Sequence, residues 1–143
     1  MRELSDREVC RLEECLKELA EHHNEVSVNF SGCFPKKPFR ETLAAFEKDV
    51  DGGISRIAVI EDKEKILGFC KADICGREGT VDYLVVLKKH RGNGYGEALL
   101  EWALDVLRAG GADRIEPRVV EGNAAVRFYE KHGFRTVSRI LRK

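Results

Sequence analysis

Three glycines at alternate positions, Gly92, Gly94 and Gly96, lie between a short apolar run and a helical pattern. The run at residues 84–87 has the length and composition of a buried strand, and the cationic residues 88–91 follow it. Glycine lets a backbone approach a ligand closely, and the first amides of a helix lack intrahelical acceptors. This succession can bind an anion. The glycines alone could form only a tight turn, but the basic residues and the clean helix onset favour a phosphate-binding loop.

Two better-known phosphate loops do not fit this spacing. The dinucleotide fingerprint G-x-G-x-x-G requires a glycine three residues after Gly94, where the chain has Glu97. A Walker A loop requires Gly-Lys-Ser or Gly-Lys-Thr, and the sequence contains neither. The spacing is instead R-G-x-G-x-G, which begins at Arg91.

Two blocks of this sequence resemble the GNAT superfamily of acetyl-CoA-dependent N-acetyltransferases. HRGNGYGEALL is similar to the family's pyrophosphate loop, Arg/Gln-x-x-Gly-x-Gly/Ala, with the pattern falling on Arg91, Gly94 and Gly96. NAAVRFYEKHGF, residues 123–134, is similar to its C-terminal motif. The blocks have the expected order and separation. With the strands that lead into them, they cover roughly the C-terminal two-thirds of the chain.

The resemblance implies direct transfer of an acetyl group from acetyl-CoA to a primary amine in a ternary complex, with no metal. It also implies that backbone groups of one strand contact the pantetheine and thioester, and that the glycine loop binds the diphosphate. The cofactor-binding residues so implied are Leu84, Val85, Val86, Arg91, Gly92, Asn93, Gly94, Tyr95, Gly96, Glu97, Asn123 and Tyr129.

Two residues of the second block have a local role besides the one that the resemblance implies. Asn123 is suited to cap the short helix that follows, and in the family this residue contacts the pantetheine. Tyr129 occupies the position of the family's general acid. A phenol with a pKa of about 10 stays protonated near neutral pH and can donate to a departing thiolate. An aromatic residue on the buried face of a short helix can also serve packing alone.

The base that takes a proton from the amine has two candidates. The family commonly places a glutamate on the strand before the loop, and this chain has the shorter Asp82 there, which favours a water relay. We expect Asp82 to share a strand face with Leu84 and Val86, whose apolar side chains would raise its pKa. A solvent-facing, structural Asp82 is equally compatible with the sequence. Glu116 is the alternative base.

The pattern of the chain predicts an α/β (α+β) fold with a mixed, mostly antiparallel sheet flanked by helices. The predicted helices cover residues 6–21, a segment from Pro38 to Gly52, the stretch after the glycine loop and a short segment ended by Gly133. The predicted strands are residues 54–60, 66–75, 80–87, 114–120 and 134–141.

Short turns join the first three long strands into an antiparallel meander, and a helical crossover makes the strand at 114–120 parallel to that at 80–87. Pro117 cannot donate to a sheet, so pairing there is interrupted or at an edge. The resemblance implies a V-shaped splay between these two strands, with the pantetheine arm in the gap.

The length and composition of the chain indicate its domain count, its partners and its location. We expect residues 1–143 to form a single domain. Lysine and arginine number 25, as do aspartate and glutamate, so the global charge does not favour nucleic acid. No apolar run or leader indicates a membrane or secretion, and five cysteines without C-x-x-C fit reduced thiols in the cytoplasm. The exposed edge strands common in the resembled family make a homodimer an expectation.

The acceptor, a small-molecule or peptide amine, should be selected by the long connection at residues 22–38. Phe30 and Phe34 would supply apolar walls, and Glu25 a partner for a cation. Two other functions stay open at this stage. One is an acyl-CoA-binding regulatory module without turnover, suggested by Asp82 in place of glutamate. The other is a nucleic-acid-binding domain built on the basic residues 131–143, which fits the balanced charge poorly.

Overall fold

The structure of the protein, a computed structural model, describes residues 1–119 and 124–143. The strands are β1 (Arg2–Glu3), β2 (Ser55–Asp62), β3 (Lys65–Cys75), β4 (Glu78–Val86) and β5 (Arg114–Pro117). The α-helices are α1 (Glu13–Val26), α2 (Phe39–Asp51), α3 (Tyr95–Ala109) and α4 (Ala125–Lys131). Two 3-10 helices, Asp6–Leu12 and Lys88–His90, precede α1 and the glycine loop.

The strands form one sheet in the order β1-β2-β3-β4-β5. Neighbours are antiparallel except β4 and β5, which are parallel. Short hairpins join β2, β3 and β4, whereas the parallel pair needs the crossover that α3 supplies. The sheet confirms the predicted fold class: mixed, mostly antiparallel and flanked by helices.

Pairing between β4 and β5 is brief. It runs from Glu78 opposite Arg114 to Val81 opposite Pro117, and β5 ends at that proline, three residues short of the predicted bound. A proline has no amide hydrogen to continue a ladder. No further β4–β5 pair occurs in the described part of the chain, so residues 82–86 have an open edge. Pairing between the two strands therefore stops where the V-shaped splay was predicted.

Two apolar cores lie on opposite faces of the sheet. The core on the α1 and α2 face is built around Leu12, Phe46, Ile57 and Phe69, with Tyr83 and Val85 of β4. The core on the α3 and α4 face includes Cys70, Val81, Leu99, Leu100, Leu107 and Tyr129, with Leu84 and Val86 partly buried against it.

A bulge in β4 changes which face its residues occupy. Lys71 of β3 pairs with Tyr83, but the next residue, Ala72, pairs with Val81, so Asp82 is an extra residue without a partner. Val81 consequently lies on the α3 face with Leu84 and Val86. The expectation that Asp82 shares that face was wrong. The Asp82 carboxylate instead accepts a hydrogen bond from Lys71 Nζ, at 3.0 Å, on the α2 face.

Two predicted elements also differ in the structure. The first helix begins as a 3-10 helix at Asp6 and continues as α1 to Val26, beyond the predicted end at residue 21. The predicted strand at 134–141 was wrong, because the structure has no strand there. Strand preference depends on a partner and a buried face, and this segment has neither: Val137 and Ile140 are 87% and 95% exposed.

No helix within the described residues is long and apolar enough to cross a membrane.

The contact between β3 and β4 predicts the effect of one substitution. A Cβ atom on Gly68 would lie 2.7 Å from the Val85 carbonyl oxygen, which is closer than real Cβ contacts allow. We expect Gly68→Ala to lower the free energy of unfolding by about 1–3 kcal/mol, as overpacking does. Urea unfolding followed by circular dichroism measures the change.

Gly96→Ala is the matched control. A Cβ on Gly96 would lie 3.7 Å from the Phe128 ring, an ordinary contact, and alanine favours a helix by up to about 1 kcal/mol over glycine. Equal stability of the two variants would contradict the tight approach of β3 to β4.

Candidate active site

The glycine loop adopts a backbone that two of its glycines require. Gly92 and Gly94 have φ angles of +83° and +78°, a region that residues with a Cβ atom rarely occupy. Gly94 is also the residue immediately before α3, which begins at Tyr95. A Cβ on Gly92 would meet nothing within 4 Å, so the left-handed backbone, not crowding by the protein, accounts for this glycine.

The backbone amides of residues 92–97 have no acceptor within the described chain. The 3-10 helix before them uses the amides of His90 and Arg91, which donate to Leu87 O and Lys88 O. The first bond into the helix is Ala98 N to Gly94 O, at 3.1 Å. Six successive amides between these bonds are left as donors at a helix N-terminus, which carries about half a positive charge. This donor set fits a diphosphate.

The side chains of Arg91 and Asn93 stabilise the loop through hydrogen bonds to backbone carbonyl oxygens. Arg91 is exposed, and its Nε donates to Val86 O at 3.1 Å, which ties the loop to the end of β4. Asn93 Nδ2 donates to His90 O at 3.0 Å. The carboxylate of Glu97 lies beside Gly94, 3.6 Å from the position of a Cβ there. Because that carboxylate repels an anion, Glu97 can contribute to a phosphate site only through its backbone amide.

The open edge of β4 leads directly into this loop. Leu87 N donates to Leu67 O at 2.8 Å, so the backbone of Leu87 faces β3. Since backbone groups of an antiparallel strand alternate between its two edges, Val85 also faces β3, and Leu84 and Val86 face the opposite, open edge. The bond from Arg91 to Val86 O agrees with this alternation. Leu84 thus leaves its amide and carbonyl for a ligand, and Val86 leaves its amide, while Val85 is committed to the sheet.

Tyr129 lies on α4, buried on the α3 face of the sheet. Its ring makes edge contacts with Phe128 and Phe134, at centroid distances of 5.5 and 5.6 Å. Burial raises the pKa of Tyr129 above its usual range, and the neighbouring Cys70 acts in the same direction. The phenol therefore stays protonated near neutral pH.

Asp82 lies on the opposite face, next to the last pair between β4 and β5. Burial raises the pKa of Asp82, the adjacent Asp73 adds to this, and the Lys71 ammonium opposes it. The alternative base, Glu116, is exposed on β5, opposite Thr80. The bulge thus places Asp82, rather than Glu116, where the two strands begin to separate.

Comparison with known proteins identifies this arrangement. The model of the Acetyltransferase (GNAT) domain family matches residues 53–136, more than half of the chain, including the glycine loop and α4. The chain belongs to the GNAT acetyltransferase family. This confirms the family predicted from the two sequence blocks, and with it the enzyme class: an acyltransferase that uses acetyl-CoA.

One curated relative is N-alpha-acetyltransferase 30 of Schizosaccharomyces pombe, 32% identical over 87 residues. The alignment covers 57% of this chain and 58% of the relative, so the chain spans little more than half of that protein.

Solved structures share the fold of this GNAT chain. A tetramutant of the BH1408 protein from Bacillus halodurans has a TM-score of 0.81 at 21% identity, covering 99% of this chain and 97% of its own. The PaiA N-acetyltransferase of Thermoplasma acidophilum, solved with coenzyme A, has a TM-score of 0.80 at 17% identity, covering 97% and 91%. An acetyltransferase of Trypanosoma brucei has a TM-score of 0.72 at 23% identity, covering 99% and 96%.

The structure brings most of the predicted site residues of this GNAT protein to one edge of β4. Asp82 lies at the start of that edge, Leu84 and Val86 lie along it, and the glycine loop follows its end. Asn123, predicted as helix cap and pantetheine contact, lies outside the described residues, and the structure gives Ala124 as the residue that precedes α4. No group of residues in the described part of the chain has the makings of a metal site.

Sequence reasoning missed Lys71, a fully buried lysine that binds Asp82. A signal for it exists in the sequence: Lys71 and Asp73 are two apart on an otherwise apolar strand, and therefore share a face.

Asn24 was also missed. It lies near the end of α1, and its side chain holds the connection to α2 in place. Asn24 Oδ1 accepts from the amides of Gly32 and Phe34, at 2.8 and 3.0 Å, and its Nδ2 donates to Phe34 O at 2.8 Å. The preceding His23 packs edge-on against the Phe34 ring, and burial there lowers the pKa of His23 to about 4. The connection predicted to select the acceptor is thus an ordered loop closed by one amide side chain.

The glycine loop predicts a selective loss of coenzyme A affinity. In Gly94→Val, a branched side chain would occupy the left-handed position between the free amides, and we expect the affinity to fall at least about tenfold while the protein stays folded. Isothermal titration calorimetry with coenzyme A measures this.

Gly76→Val is the matched control for backbone strain. Gly76, in the β3–β4 hairpin, also has a positive φ, +61°, and open space around it, but it is outside the loop. We expect the control to lose stability without losing affinity. Unchanged affinity in Gly94→Val would refute the assignment of the loop.

Proposed function

We propose that this GNAT protein transfers the acetyl group of acetyl-CoA to a primary amine by direct attack in a ternary complex. The observation that carries the proposal is the set of free amides at residues 92–97, which adjoins the open edge of β4. Two candidate proton-transfer groups accompany it: Asp82 lies at the start of that edge on the α2 face, and Tyr129 is buried on the α3 face of the sheet. The loop alone would bind a nucleotide; the loop with both groups suits group transfer.

The backbone supplies binding in this proposal. The amides of residues 92–97 hold the diphosphate of acetyl-CoA, and Leu84 and Val86 offer backbone groups to its pantetheine amides and thioester carbonyl. An amide already in place stabilises the negative charge that develops on a carbonyl oxygen during attack, and one such donor is worth about 3 kcal/mol. Because the edge of β4 is held rigid by β3, these donors require little reorganisation.

The side chains supply proton transfer. Asp82 takes the proton of the attacking amine, directly or through a water, as the N–C bond forms. The C–S bond then breaks, and Tyr129 donates a proton or a hydrogen bond to the departing thiolate. Its raised pKa keeps Tyr129 in the protonated form that this role needs.

Turnover by single variants tests these roles. In a thiol-release assay with acetyl-CoA and a panel of amines, we expect Tyr129→Phe and Asp82→Asn to lower kcat by about 10²-fold or more, the usual range for general acid–base catalysis. Asp105→Asn is the matched control, because Asp105 is exposed on α3 and is outside the site.

Wild-type turnover in both Tyr129→Phe and Asp82→Asn would end the proposed mechanism. A second function, an acyl-CoA-binding regulatory module, is favoured by the ion pair that occupies Asp82. That function predicts coenzyme A binding in calorimetry with no thiol release for any amine of the panel.

The acceptor in this proposal is a small-molecule or peptide amine that enters beside the loop between α1 and α2. The Schizosaccharomyces pombe relative is named an N-alpha-acetyltransferase, which favours an α-amine. Phe30 and Phe34 are partly buried in the loop and Glu25 is exposed in the last turn of α1, so apolar and anionic contacts are both available to a substrate.

The bonds of Asn24 predict how this loop affects kinetics. Asn24→Ala removes three hydrogen bonds that close the loop, and we expect KM for the acceptor to rise several-fold while KM for acetyl-CoA is unchanged. Asn29→Ala, an exposed position in the same loop, is the control and should change neither constant. A parallel rise of both KM values in Asn24→Ala would show that the loop does not select the acceptor.

The proposal also includes a single domain over residues 1–143 and a cytoplasmic location, with a homodimer as its expected assembly. The free thiols of Cys10, Cys33 and Cys75, all exposed, support a reducing compartment.

A further inference from the structure

The side chain of Lys71 is only 2% exposed, yet it carries an ammonium group. Lys71 Nζ donates to both carboxylate oxygens of Asp73, at 2.8 and 2.9 Å, and to Asp82 Oδ2 at 3.0 Å. A third carboxylate, Asp49 of α2, is 3.8 Å away, and the ammonium lies 4.9 Å from the centre of the Phe46 ring. Burying an ammonium group costs free energy unless anions pair with it, and three carboxylates pair with that of Lys71.

The charge state of this cluster follows from its contacts. Burial alone would lower the pKa of Lys71, but the hydrogen bonds and charges of Asp73 and Asp82 outweigh burial and raise it. Lys71 therefore stays charged. Asp73 and Asp82 share this one ammonium, so the charge of Asp73 acts on Asp82 and raises the pKa of Asp82, against the effect of Lys71.

The bulge in β4 explains why Asp82 enters this cluster. With regular pairing, Asp82 would face α3 with Leu84 and Val86, away from Lys71. The extra residue turns Asp82 to the α2 face, next to Lys71 and directly after the last pair between β4 and β5. The residue held by the ammonium is thus the first one at the open edge.

We propose that Lys71 is a positioning residue for acetyl transfer: its buried ammonium holds the Asp82 carboxylate ionised and oriented at the open edge of β4, while the neighbouring Asp73 sets how basic that carboxylate is. This inference depends on the proposed function, in which Asp82 accepts the proton of the amine. Lys71 acts through Asp82 and touches no substrate.

Opposite effects follow from the two partners of Asp82. Without the ammonium, two half-buried carboxylates face each other unneutralised, so Asp82 takes up a proton at a higher pH and ceases to be a base near neutrality. Without the charge of Asp73, Asp82 loses a like charge and releases its proton at a lower pH, which makes it a weaker base.

Among the described residues, three further polar groups lie next to Lys71, Asp73 and Asp82. Asp49 approaches from α2 and Tyr83 from β4, and burial raises the pKa of the Tyr83 phenol, which keeps it neutral. Ser55 of β2 donates its hydroxyl to Asp73. Asn at position 73 can still accept from Ser55 and Lys71, so Asp73→Asn removes the charge with little change of shape.

The test is a titration of the aspartate carboxyl groups by ¹³C NMR, which suits a chain of 16.2 kDa, with Asp82→Asn to assign the Asp82 signal. We expect Lys71→Met to raise the pKa of Asp82 by about one to three units and Asp73→Asn to lower it. Lys71→Arg, which keeps the charge, should restore a titration close to the wild type.

The pH dependence of kcat/KM, measured with one acceptor for all variants, gives the functional readout. The acid limb should move to higher pH in Lys71→Met, with activity recovered in alkali, and to lower pH in Asp73→Asn. KM for acetyl-CoA should not change. A merely structural lysine would lower activity at every pH without moving the limb.

Two failures are distinguishable. If Asp82→Asn abolishes turnover but neither the NMR titration nor the acid limb moves in the other variants, the role of Lys71 is overturned and the proposed function stands. If Asp82→Asn turns over like the wild type, Asp82 is not the base, so the role of Lys71 is overturned while acetyl transfer itself stands. If the wild type releases no thiol with any amine of the panel, the proposed function fails. Should Lys71→Met not fold, Asp73→Asn and Lys71→Arg still decide, because an unmoved Asp82 titration in Asp73→Asn contradicts the coupling.

Discussion

The site depends on one constraint: β4 must stop pairing with β5 before β4 ends. Backbone amides and carbonyls in a sheet normally satisfy one another, and a group left without a partner is costly unless water or a ligand meets it. Here pairing stops at Val81 and Pro117, so the backbone beyond it has one free edge. On the side of β5, Pro117 ends the ladder because a proline has no amide hydrogen to donate. On the side of β4, the bulge at Asp82 bends the strand directly after the last pair.

The glycine loop, which follows the end of β4, also leaves backbone groups without partners. A helix start always leaves amides without acceptors, and proteins usually cap them with a serine, threonine or aspartate side chain. This chain puts Gly94 at that position, with no side chain to act as a cap. The open edge of β4 and the uncapped helix are thus two sets of unsatisfied backbone groups, joined by the bonded turn at residues 87–91. Acetyl-CoA carries groups for both sets: a diphosphate for the helix amides and amides of its pantetheine arm for the strand edge.

Local patterns account for what could be predicted from the sequence. The meander, the crossover helix and the loop follow from turns, periodicity and glycine spacing, each within about twenty residues. The face of Asp82 could not be predicted, because a bulge depends on the register between β3 and β4, and one extra residue moves a side chain to the other face. The contact of Lys71 with Asp82 depends on the same bulge, and the role of Asn24 depends on how residues 27–38 fold back onto the end of α1. The segment at 134–141 has the composition of a strand but no strand beside it.

The two proton-transfer candidates lie on opposite faces of one sheet, which constrains how they can cooperate. In a continuous sheet, the paired backbone would lie between two residues on opposite faces. Neither side chain could then reach a ligand bound on the other face. Because pairing between β4 and β5 stops at Val81 and Pro117, no paired backbone forms this barrier beyond that point in the described part of the chain. Under the proposed function, the reacting carbonyl must lie in the plane of the sheet, between the strands, with Asp82 on the side of the amine and Tyr129 on the side of the thiolate. In this proposal the opening in the sheet therefore does more than admit a ligand, since it lets a base from the α2 face reach the attacking nitrogen while an acid from the α3 face reaches the departing sulfur.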